Sequence, residues 1–235
     1  MPRALLVARR DAGGGLVLVA LEVDPELARG FAAPGQYVEV TTSAGSGYFV
    51  LGGAVGTSPW ELLVKSAGGA SDALFSLPLG SVVEVTGAMG AGFPIAQAGS
   101  RAVVVAVVGS ALAVARPVVA LRIEEGAAQA TFLFVGARAP TDLPIADEVA
   151  AWSEQGVTVV LCLSRRELEH HREVLPCAQR AVGYVQVALA RAVEAGVVPA
   201  GALVVAAGPE AMLADMRAFA ASHAAAPPIE VITNV

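Results

Sequence analysis

The sequence predicts a six-stranded antiparallel β-barrel followed by a five-stranded parallel sheet that is doubly wound with helices. Up to about residue 98, short strand-like segments are separated by Gly, Pro, Ser and Asp, a pattern typical of strands joined by tight turns. After residues 99–101, apolar strand-like runs alternate with longer helical stretches, which favours a parallel sheet covered on both faces. We therefore divide the 235 residues into two domains, residues 1–98 and residues 99–235, in keeping with usual domain sizes.

The strands of the barrel are predicted from short apolar runs that end at turn-forming residues. They cover residues 4–8, 16–23, 36–41, 48–51, 61–65 and 82–86. One helical turn is expected at residues 72–77 with Ser71 as its N-cap, because a serine hydroxyl can accept a hydrogen bond from a free N–H group of the first turn.

The second domain is predicted from its alternation of strands and helices. Its strands are expected at residues 102–108, 131–135, 157–163, 202–206 and 229–233, and its helices near residues 113–124, 143–155, 184–194 and 210–223. The Val- and Ala-rich strands show no alternation of apolar and polar residues, which indicates that both of their faces are buried. In such a sheet, ligands bind beyond the carboxyl ends of the strands.

Composition and charge exclude several classes of function. With 55% hydrophobic residues and a mean hydropathy of +0.65, the chain is too apolar to be disordered. Its longest apolar run, residues 102–115, is shorter than the roughly 18 residues that a spanning helix needs, so we expect no membrane span. A net charge of −6, with Lys65 as the only lysine, argues against nucleic acid as a partner.

The cysteines and histidines indicate neither disulfides nor metal. Cys162 and Cys177 are too few for a disulfide framework and fit a reducing compartment. Because the first residues also lack the pattern of a secretory signal peptide, we expect a cytoplasmic protein. His170 and His171 are adjacent, which is not the spacing of a helical zinc-ligand pair, so no metal site is predicted. No motif of a hydrolase, kinase-type NTPase or dithiol oxidoreductase identifies a catalytic residue.

The residues that directly follow the predicted parallel strands are candidates for ligand binding. Gly109 and Ser110 follow the first strand and open a helix, where backbone N–H groups can hold a phosphate. Tight packing alone also explains small residues at such a turn. Arg138 follows the second strand and Ser164-Arg165 the third. One guanidinium group can donate two parallel hydrogen bonds to the oxygens of a phosphate, so Arg165 is a candidate for contacting a ribose phosphate. The alternative is that Arg165 simply lies in a solvated loop.

Taken in order, several short motifs resemble those of the ferredoxin–NADP reductase superfamily. In the first half these are residues 34–38, 47–51, 63–66, 68–71, 80–85 and 90–93, and in the second half residues 109–110, 136–138, 183–186 and 208–212. The resemblance covers nearly the whole chain and implies an FAD-binding barrel followed by a domain for a nicotinamide nucleotide. Within the superfamily, residues 60–67 and 183–190 resemble the small stand-alone reductase-like proteins typified by a kiwifruit protein.

The resemblance also implies which residues hold the cofactors. Those implied to lie along the isoalloxazine and ribityl part of FAD are Tyr48, Phe49, Val50 and Leu51, and those implied to offer N–H groups to its pyrophosphate are Gly69, Ala70 and Ser71, with Lys65 nearby. Those implied for the nucleotide are Gly109 and Ser110 at its pyrophosphate, Arg138, Ser164 and Arg165 at its adenosine end, and Gly208, Pro209 and Met212 at the nicotinamide. The two arginines favour NADP over NAD.

The chain departs from the family's pattern at several of these positions. The flavin signature Arg-x-Tyr-Ser/Thr is replaced by Gly47-Tyr48-Phe49-Val50, which removes the arginine for the pyrophosphate and the hydroxyl for the flavin. Ala111 replaces the second glycine of the dinucleotide turn, and Ala207 replaces the cysteine beside the nicotinamide. The FAD motif is therefore weakened.

Two functions agree with these observations. The first is a flavin-dependent oxidoreductase that transfers hydride or electrons between NAD(P)H and an unidentified acceptor, with a redox partner protein as one possibility. In such an enzyme the cofactor carries the reaction, so no catalytic acid–base residue is needed. The second is a cofactor-poor relative that acts as a nucleotide-binding or protein-interaction module without redox activity.

Overall fold

A barrel of six antiparallel strands forms the first part of the computed structural model, which describes residues 1–165, 178–222 and 228–233. The strands are β1 (Arg3–Gly13), β2 (Leu16–Glu22), β3 (Tyr37–Thr42), β4 (Gly45–Val50), β5 (Trp60–Lys65) and β6 (Val82–Val85). Their order in the sheet is β4-β3-β6-β1-β2-β5. An antiparallel bridge between Leu51 and Leu62 joins the two edges, so the sheet closes as predicted.

Two helices accompany the barrel, α1 (Pro25–Arg29) and α2 (Gly69–Ser76). The sequence did not reveal α1, whose five residues are too few for a visible apolar period. Helix α2 covers one opening of the barrel with the buried side chain of Leu74. It begins at Gly69, after Gly68 at the N-cap position, so the prediction of Ser71 as N-cap was wrong. Two consecutive glycines with positive φ allow the chain to turn into the helix three residues earlier than predicted.

The second sheet is parallel throughout and confirms the predicted fold class. Its strands are β7 (Val103–Val108), β8 (Thr131–Ala137), β9 (Thr158–Leu163), β10 (Gln179–Val182), β11 (Leu203–Ala207) and β12 (Glu230–Thr233), in the order β10-β9-β8-β7-β11-β12. It has one strand more than predicted, because β10 is a short edge strand without an apolar run. Its helices are α3 (Ala115–Glu124), α4 (Ala146–Glu154), α5 (Val185–Glu194) and α6 (Glu210–Ser222). Residue 223, the predicted end of the last helix, lies outside the described residues.

The order of the parallel strands locates the place where a ligand can enter. The chain runs outward from β7 through β8 and β9, and then returns to β11 on the other side of β7. The direction of winding therefore reverses between β7 and β11, and the crevice beyond their carboxyl ends is the usual ligand site of such sheets. Gly109 follows β7 and Gly208 follows β11, as predicted for residues at this crevice.

The barrel packs directly against the second sheet. One apolar cluster combines Leu16, Leu18 and Leu63 of the barrel with Val105 and Leu133 of the parallel strands. The turn between β1 and β2 approaches the loop before α4 so closely that a Cβ atom on Gly14 would lie 2.4 Å from the carbonyl oxygen of Asp142. This contact requires glycine, and it makes the tip of the β1–β2 turn one wall of the crevice.

Candidate functional site

An interdomain cleft of about 600 Å³ occupies the crevice beyond the parallel strands. Its barrel side is formed by Gly14, Leu16 and Lys65. Its other residues are Val108, Gly109, Gly136, Ala137, Arg138, Asp142, Cys162, Ser164, Gly183, Tyr184, Val185, Gln186, Pro209, Ala211 and Met212. The cleft thus collects residues from the carboxyl ends of five parallel strands and adds one cation from the barrel.

The turn after β7 has a backbone that glycine favours. Gly109 has a φ of +61°, which is a left-handed backbone conformation that residues other than glycine adopt only at a cost in free energy. A tight helical turn, Gly109–Val114, follows and leads into α3, so the predicted helix at 113–124 begins with a different geometry. Gly109 lines the cleft, whereas Ser110 is exposed beside it.

Backbone contacts hold the two predicted arginines close together. The N–H groups of Ser164 and Arg165 donate to the carbonyl oxygens of Ala137 and Arg138, at 3.1 and 3.3 Å. Arg138 and Ser164 line the cleft, and Arg165 is exposed at its rim. The Nε atom of Arg138 lies 3.3 Å from the Oδ2 atom of Asp142. This end of the cleft therefore carries two guanidinium groups and one carboxylate.

The end of the cleft after β11 is apolar. Pro209 and Met212 line it, and Met212 folds back so that a Cβ atom on Gly208 would lie 2.6 Å from the methionine Cε atom. Cys162 lies at the floor, where burial raises the pKa of its thiol to about 12. Cys162 is therefore a neutral thiol at physiological pH.

Among the lining residues that the sequence analysis did not assign to a ligand are Tyr184 and Gln186, although residues 183–186 belong to the motifs that resemble the superfamily. Tyr184 is exposed, and the Nε2 atom of Gln186 donates to the Oδ2 atom of Asp215 at 3.0 Å. Both residues come directly after β10. Because the edge strand was not predicted, nothing in the sequence identified this stretch as the end of a strand.

A second opening, the barrel cavity, lies against β3 and β4 and has a volume of about 630 Å³. Its aromatic and aliphatic walls are Tyr37, Tyr48, Phe49, Val50, Met89 and Phe93, completed by Gly35, Gly90, Ala91, Gly92 and Thr233. Tyr48 is 68% exposed, and its ring meets that of Tyr37 edge to face with 5.9 Å between centroids. The cavity offers aromatic surface to a planar ligand.

The predicted flavin residues divide between this cavity and other places. Tyr48, Phe49 and Val50 line the cavity, but Leu51 is 0% exposed and belongs to the core of the barrel. Its side chain points inward because the bridge to Leu62 closes the barrel at this residue. Lys65 lines the interdomain cleft and is not among the residues of the barrel cavity.

The first turn of α2 lies beside the start of β4. Gly69, Ala70 and Ser71 supply N–H groups that have no acceptor within the helix. A Cβ atom on Gly47 would lie 3.5 Å from that of Ala70. The hydroxyl of Ser71 accepts from the N–H of Ala67 at 3.0 Å and donates to the carbonyl of Gly68 at 2.8 Å.

A carboxylate also occupies this turn. Asp72 Oδ1 accepts hydrogen bonds from the hydroxyl of Ser66 at 2.7 Å and from the N–H groups of Ala67 and Gly68 at 3.1 Å each. The bond from Ser66, with those from Gly68 and Ala67, holds the pKa of Asp72 below its ordinary value. The turn beside β4 therefore carries a permanent negative charge at neutral pH.

These residues fit the ring of a flavin but not the diphosphate of FAD. Aromatic side chains line the barrel cavity, whereas no Lys, Arg or His contributes to it in the part of the chain that the structure describes. Gly47 carries no side chain, and the ring of Phe49 lies 3.1 Å from the position that its Cβ atom would take. The negative charge of Asp72 opposes a second anion at the same turn.

The cavity and the cleft lie on either side of one short segment. Val50, at the end of β4, packs against the apolar cluster that contains Leu112 and Ala113. A Cβ atom on Gly52 would lie 3.1 Å from the carbonyl oxygen of Ala113. The turn that begins with Gly109 in the cleft therefore contacts the strand end that forms the wall of the cavity.

No family model and no curated protein matches this chain. Solved structures do. A cytochrome P450 reductase from Amycolatopsis superposes with a TM-score of 0.78 at 23% identity, over 99% of this chain and 69% of that one. A ferredoxin–NADP+ reductase from Neisseria gonorrhoeae, solved with bound FAD and NADP, gives a TM-score of 0.77 at 15% identity, over 99% and 98% of the two chains.

The chain has the ferredoxin–NADP reductase fold. A third similar structure with this reductase fold is the FAD/NAD-binding domain of a nitric oxide dioxygenase from Vibrio cholerae, with a TM-score of 0.75 at 15% identity over 99% and 98% of the chains. The closer resemblance to kiwifruit-type proteins stays a prediction.

The described residues contain no group of three His, Cys, Asp or Glu side chains arranged to hold a metal. His170 and His171, which the sequence argued against as ligands, lie outside these residues, as does Cys177. No helix in the same ranges has both the length and the apolar character needed to cross a bilayer.

Proposed function

We propose that this protein is an NAD(P)H-dependent oxidoreductase that works through a flavin and passes hydride or electrons to an acceptor, such as a redox partner protein. The observation that carries the proposal is the contact between the two openings. Strand β4, whose last residue Val50 lines the barrel cavity, contacts the helical turn that starts with Gly109 of the interdomain cleft. A nicotinamide at the Pro209 end of the cleft and a flavin ring in the cavity are then neighbours.

The chain's own residues provide binding and orientation. Lys65 and Arg138 give the cleft positive charge for phosphates, and the apolar end at Pro209 and Met212 suits the nicotinamide. Tyr48 and Val50 offer flat apolar surface to the flavin ring. When bound, a flavin accepts hydride from a reduced nicotinamide and releases electrons to an acceptor, so no acid–base residue is required from the protein.

NADP is the proposed nucleotide rather than NAD. Arg138 and Arg165, whose backbones are joined by a hydrogen bond of 3.3 Å, carry guanidinium groups that suit the additional phosphate on the ribose of NADP. Replacement Arg165→Ala should raise the KM for NADPH far more than the KM for NADH. A matched variant, Arg29→Ala, removes a guanidinium of α1 that does not line the cleft and should change neither value. Equal effects of Arg165→Ala on both nucleotides would contradict the choice of NADP.

The function itself is tested by absorption spectroscopy. Purified protein is mixed anaerobically with FAD and then with NADPH, and both the NADPH band and the visible flavin band are followed. Loss of both bands, at a rate that depends on protein concentration, is the expected result. If neither the NADPH band nor the visible flavin band decreases, whichever flavin is added, the oxidoreductase function is contradicted.

The alternative function is a nucleotide-binding or interaction module without redox activity. The glycine at position 47, the valine at position 50 and the carboxylate of Asp72 favour it, because each weakens the hold on FAD. Under this alternative, NADPH binds in the cleft, and no flavin binds to the barrel. Either function is proposed for a reducing, cytoplasmic setting, in which the free thiol of Cys162 persists.

A further inference from the structure

We propose that the barrel cavity binds a flavin by its ring alone, so that the flavin is an exchangeable substrate and not a permanently held FAD. This inference rests on the proposed function and names the substrate class of the barrel cavity. The balanced reaction is NAD(P)H plus oxidised flavin plus a proton, giving NAD(P)+ and reduced flavin. The C–H bond of the dihydronicotinamide breaks, its electron pair and hydrogen move to the flavin, and solvent supplies the proton. The reduced flavin then leaves and carries the electrons to an acceptor elsewhere.

The ring-binding part of the cavity is built from aromatic and aliphatic groups. Tyr48 is 68% exposed and meets Tyr37 edge to face, so one face of its ring is open to a planar ligand. A Cβ atom on Gly35 would lie 2.5 Å from the ring of Phe93, which shows that this ring is packed in place. Exposed aromatic surface held by close packing binds planar rings through dispersion and desolvation.

Beside the ring-binding part of the cavity, the groups that would bind the diphosphate of FAD are missing. Gly47 stands two residues before Phe49 on β4, and a Cβ atom on it would lie 3.5 Å from that of Ala70 in the first turn of α2. A strand advances about 3.3 Å per residue, so a ligand with its ring at Val50 would bring a phosphate to about Gly47. At that place Gly47 supplies no cation, and the Phe49 ring lies 3.1 Å from where a Cβ atom would be, so a longer side chain fits there once this ring shifts slightly.

Asp72 makes the same place unfavourable for an anion. Its carboxylate already accepts the hydrogen bonds of the Ala67 and Gly68 N–H groups, which are groups of the kind that would serve a phosphate. The remaining N–H groups of the first turn stand next to a negative charge. Lys65, four residues before Gly69, lines the other opening and is not a lining residue of this cavity.

The test compares riboflavin, FMN and FAD, which share the ring and differ in phosphates and adenosine. Each is titrated into the protein and followed by quenching of flavin fluorescence, which measures binding without turnover. We expect the three dissociation constants to agree within about threefold, and all three flavins to be lost on desalting. A protein that holds FAD by its diphosphate would instead bind FAD about a hundredfold or more tighter than riboflavin.

Substitutions at Gly47 and Asp72 test the cause. Gly47→Arg restores a cation beside α2 and should tighten FMN and FAD about tenfold while leaving riboflavin unchanged. Gly47→Met has similar length without charge and should improve none of them. Asp72→Asn, which keeps the acceptor oxygen, should tighten FMN and FAD only, whereas Asp24→Asn, an exposed carboxylate outside both openings, should have no effect.

The outcomes separate the inference from the proposed function. FAD that survives desalting, or that binds about a hundredfold tighter than riboflavin, would overturn the inference and leave the oxidoreductase standing. Failure of all three flavins to bind, with NADPH still bound in the cleft, would overturn both and favour the nucleotide-binding module. Equal affinities together with NADPH-dependent bleaching of free flavin support both.

Discussion

The guanidinium of Arg116 joins the two halves of the molecule through Glu61: its Nη1 atom, on α3, lies 2.7 Å from the Oε2 atom of Glu61 on β5. The same guanidinium donates to the carbonyl oxygen of Gly52 at 2.9 Å and, through Nε, to Glu148 of α4 at 2.7 Å. The Arg116 side chain is 15% exposed. Burial alone would lower its pKa, but the hydrogen bond with Glu148 and the charge of Glu61 outweigh burial and raise it. Arg116 thus fixes the strand end that carries Val50 against the half that contains the parallel sheet.

Replacement Arg116→Met should destabilise the protein by about 3 kcal/mol, because it leaves the partly buried carboxylate of Glu61 without its cation and leaves Glu148 with Arg10 alone. Urea unfolding followed by tryptophan fluorescence measures the change. Arg217→Met is the matched control, since its ion pair with Glu210 is on the surface and should contribute under about 1 kcal/mol. Equal losses in the two variants would refute a special role for Arg116.

Cys162 should resist alkylation in the folded protein. Burial raises the pKa of its thiol from 9.0 to about 12, so the thiolate that reacts is about a thousandfold scarcer at pH 8 than in the unfolded chain. Iodoacetamide labelling at pH 8, with mass spectrometry of the peptide that contains Cys162, should show slow modification before unfolding and fast modification after it. Rapid labelling in native protein would show that the floor of the cleft opens to solvent.

Lys65 should contribute equally to the binding of NADH and NADPH. It lines the cleft from the barrel side, whereas the proposed preference for NADPH rests on Arg138 and Arg165. Loss of one cation–phosphate contact in Lys65→Met should raise both dissociation constants about tenfold or more, as measured by calorimetry. Arg29→Met removes a cation from α1, outside the cleft, and should leave both constants unchanged.

The turn before α2 should lose its stabilising carboxylate at low pH. The hydrogen bond from Ser66, together with those from Gly68 and Ala67, lowers the pKa of Asp72 from 3.8. A lowered carboxyl pKa contributes stability that is present above the unfolded-state value and is lost as the pH falls through the folded-state value. The Tm difference between wild type and Asp72→Ala should therefore be constant near neutral pH and shrink below about pH 4. A difference that does not depend on pH would contradict this origin.

The sequence alone determined the architecture of this protein. Apolar runs bounded by turn residues identified all six barrel strands, and Val-rich runs identified five of the parallel strands, because burial on one or both faces constrains residue type along a whole strand. It also identified Gly109, Arg138 and Ser164 at the cleft, since the ends of parallel strands meet at one edge.

The tertiary structure decided several features that cannot be derived from where a residue stands in the sequence. Edge strand β10 was missed because a strand with one unpaired side needs no apolar run, and Tyr184 was missed with it. Leu51 was assigned to the cofactor, although barrel closure turns its side chain into the core. Lys65 is the last residue of a barrel strand and yet lines the interdomain cleft. The carboxylate of Asp72 occupies the turn where the phosphates of FAD were expected to bind. Such outcomes depend on which groups from distant segments come within a few ångströms of one another, and only the packing of the two domains sets those distances.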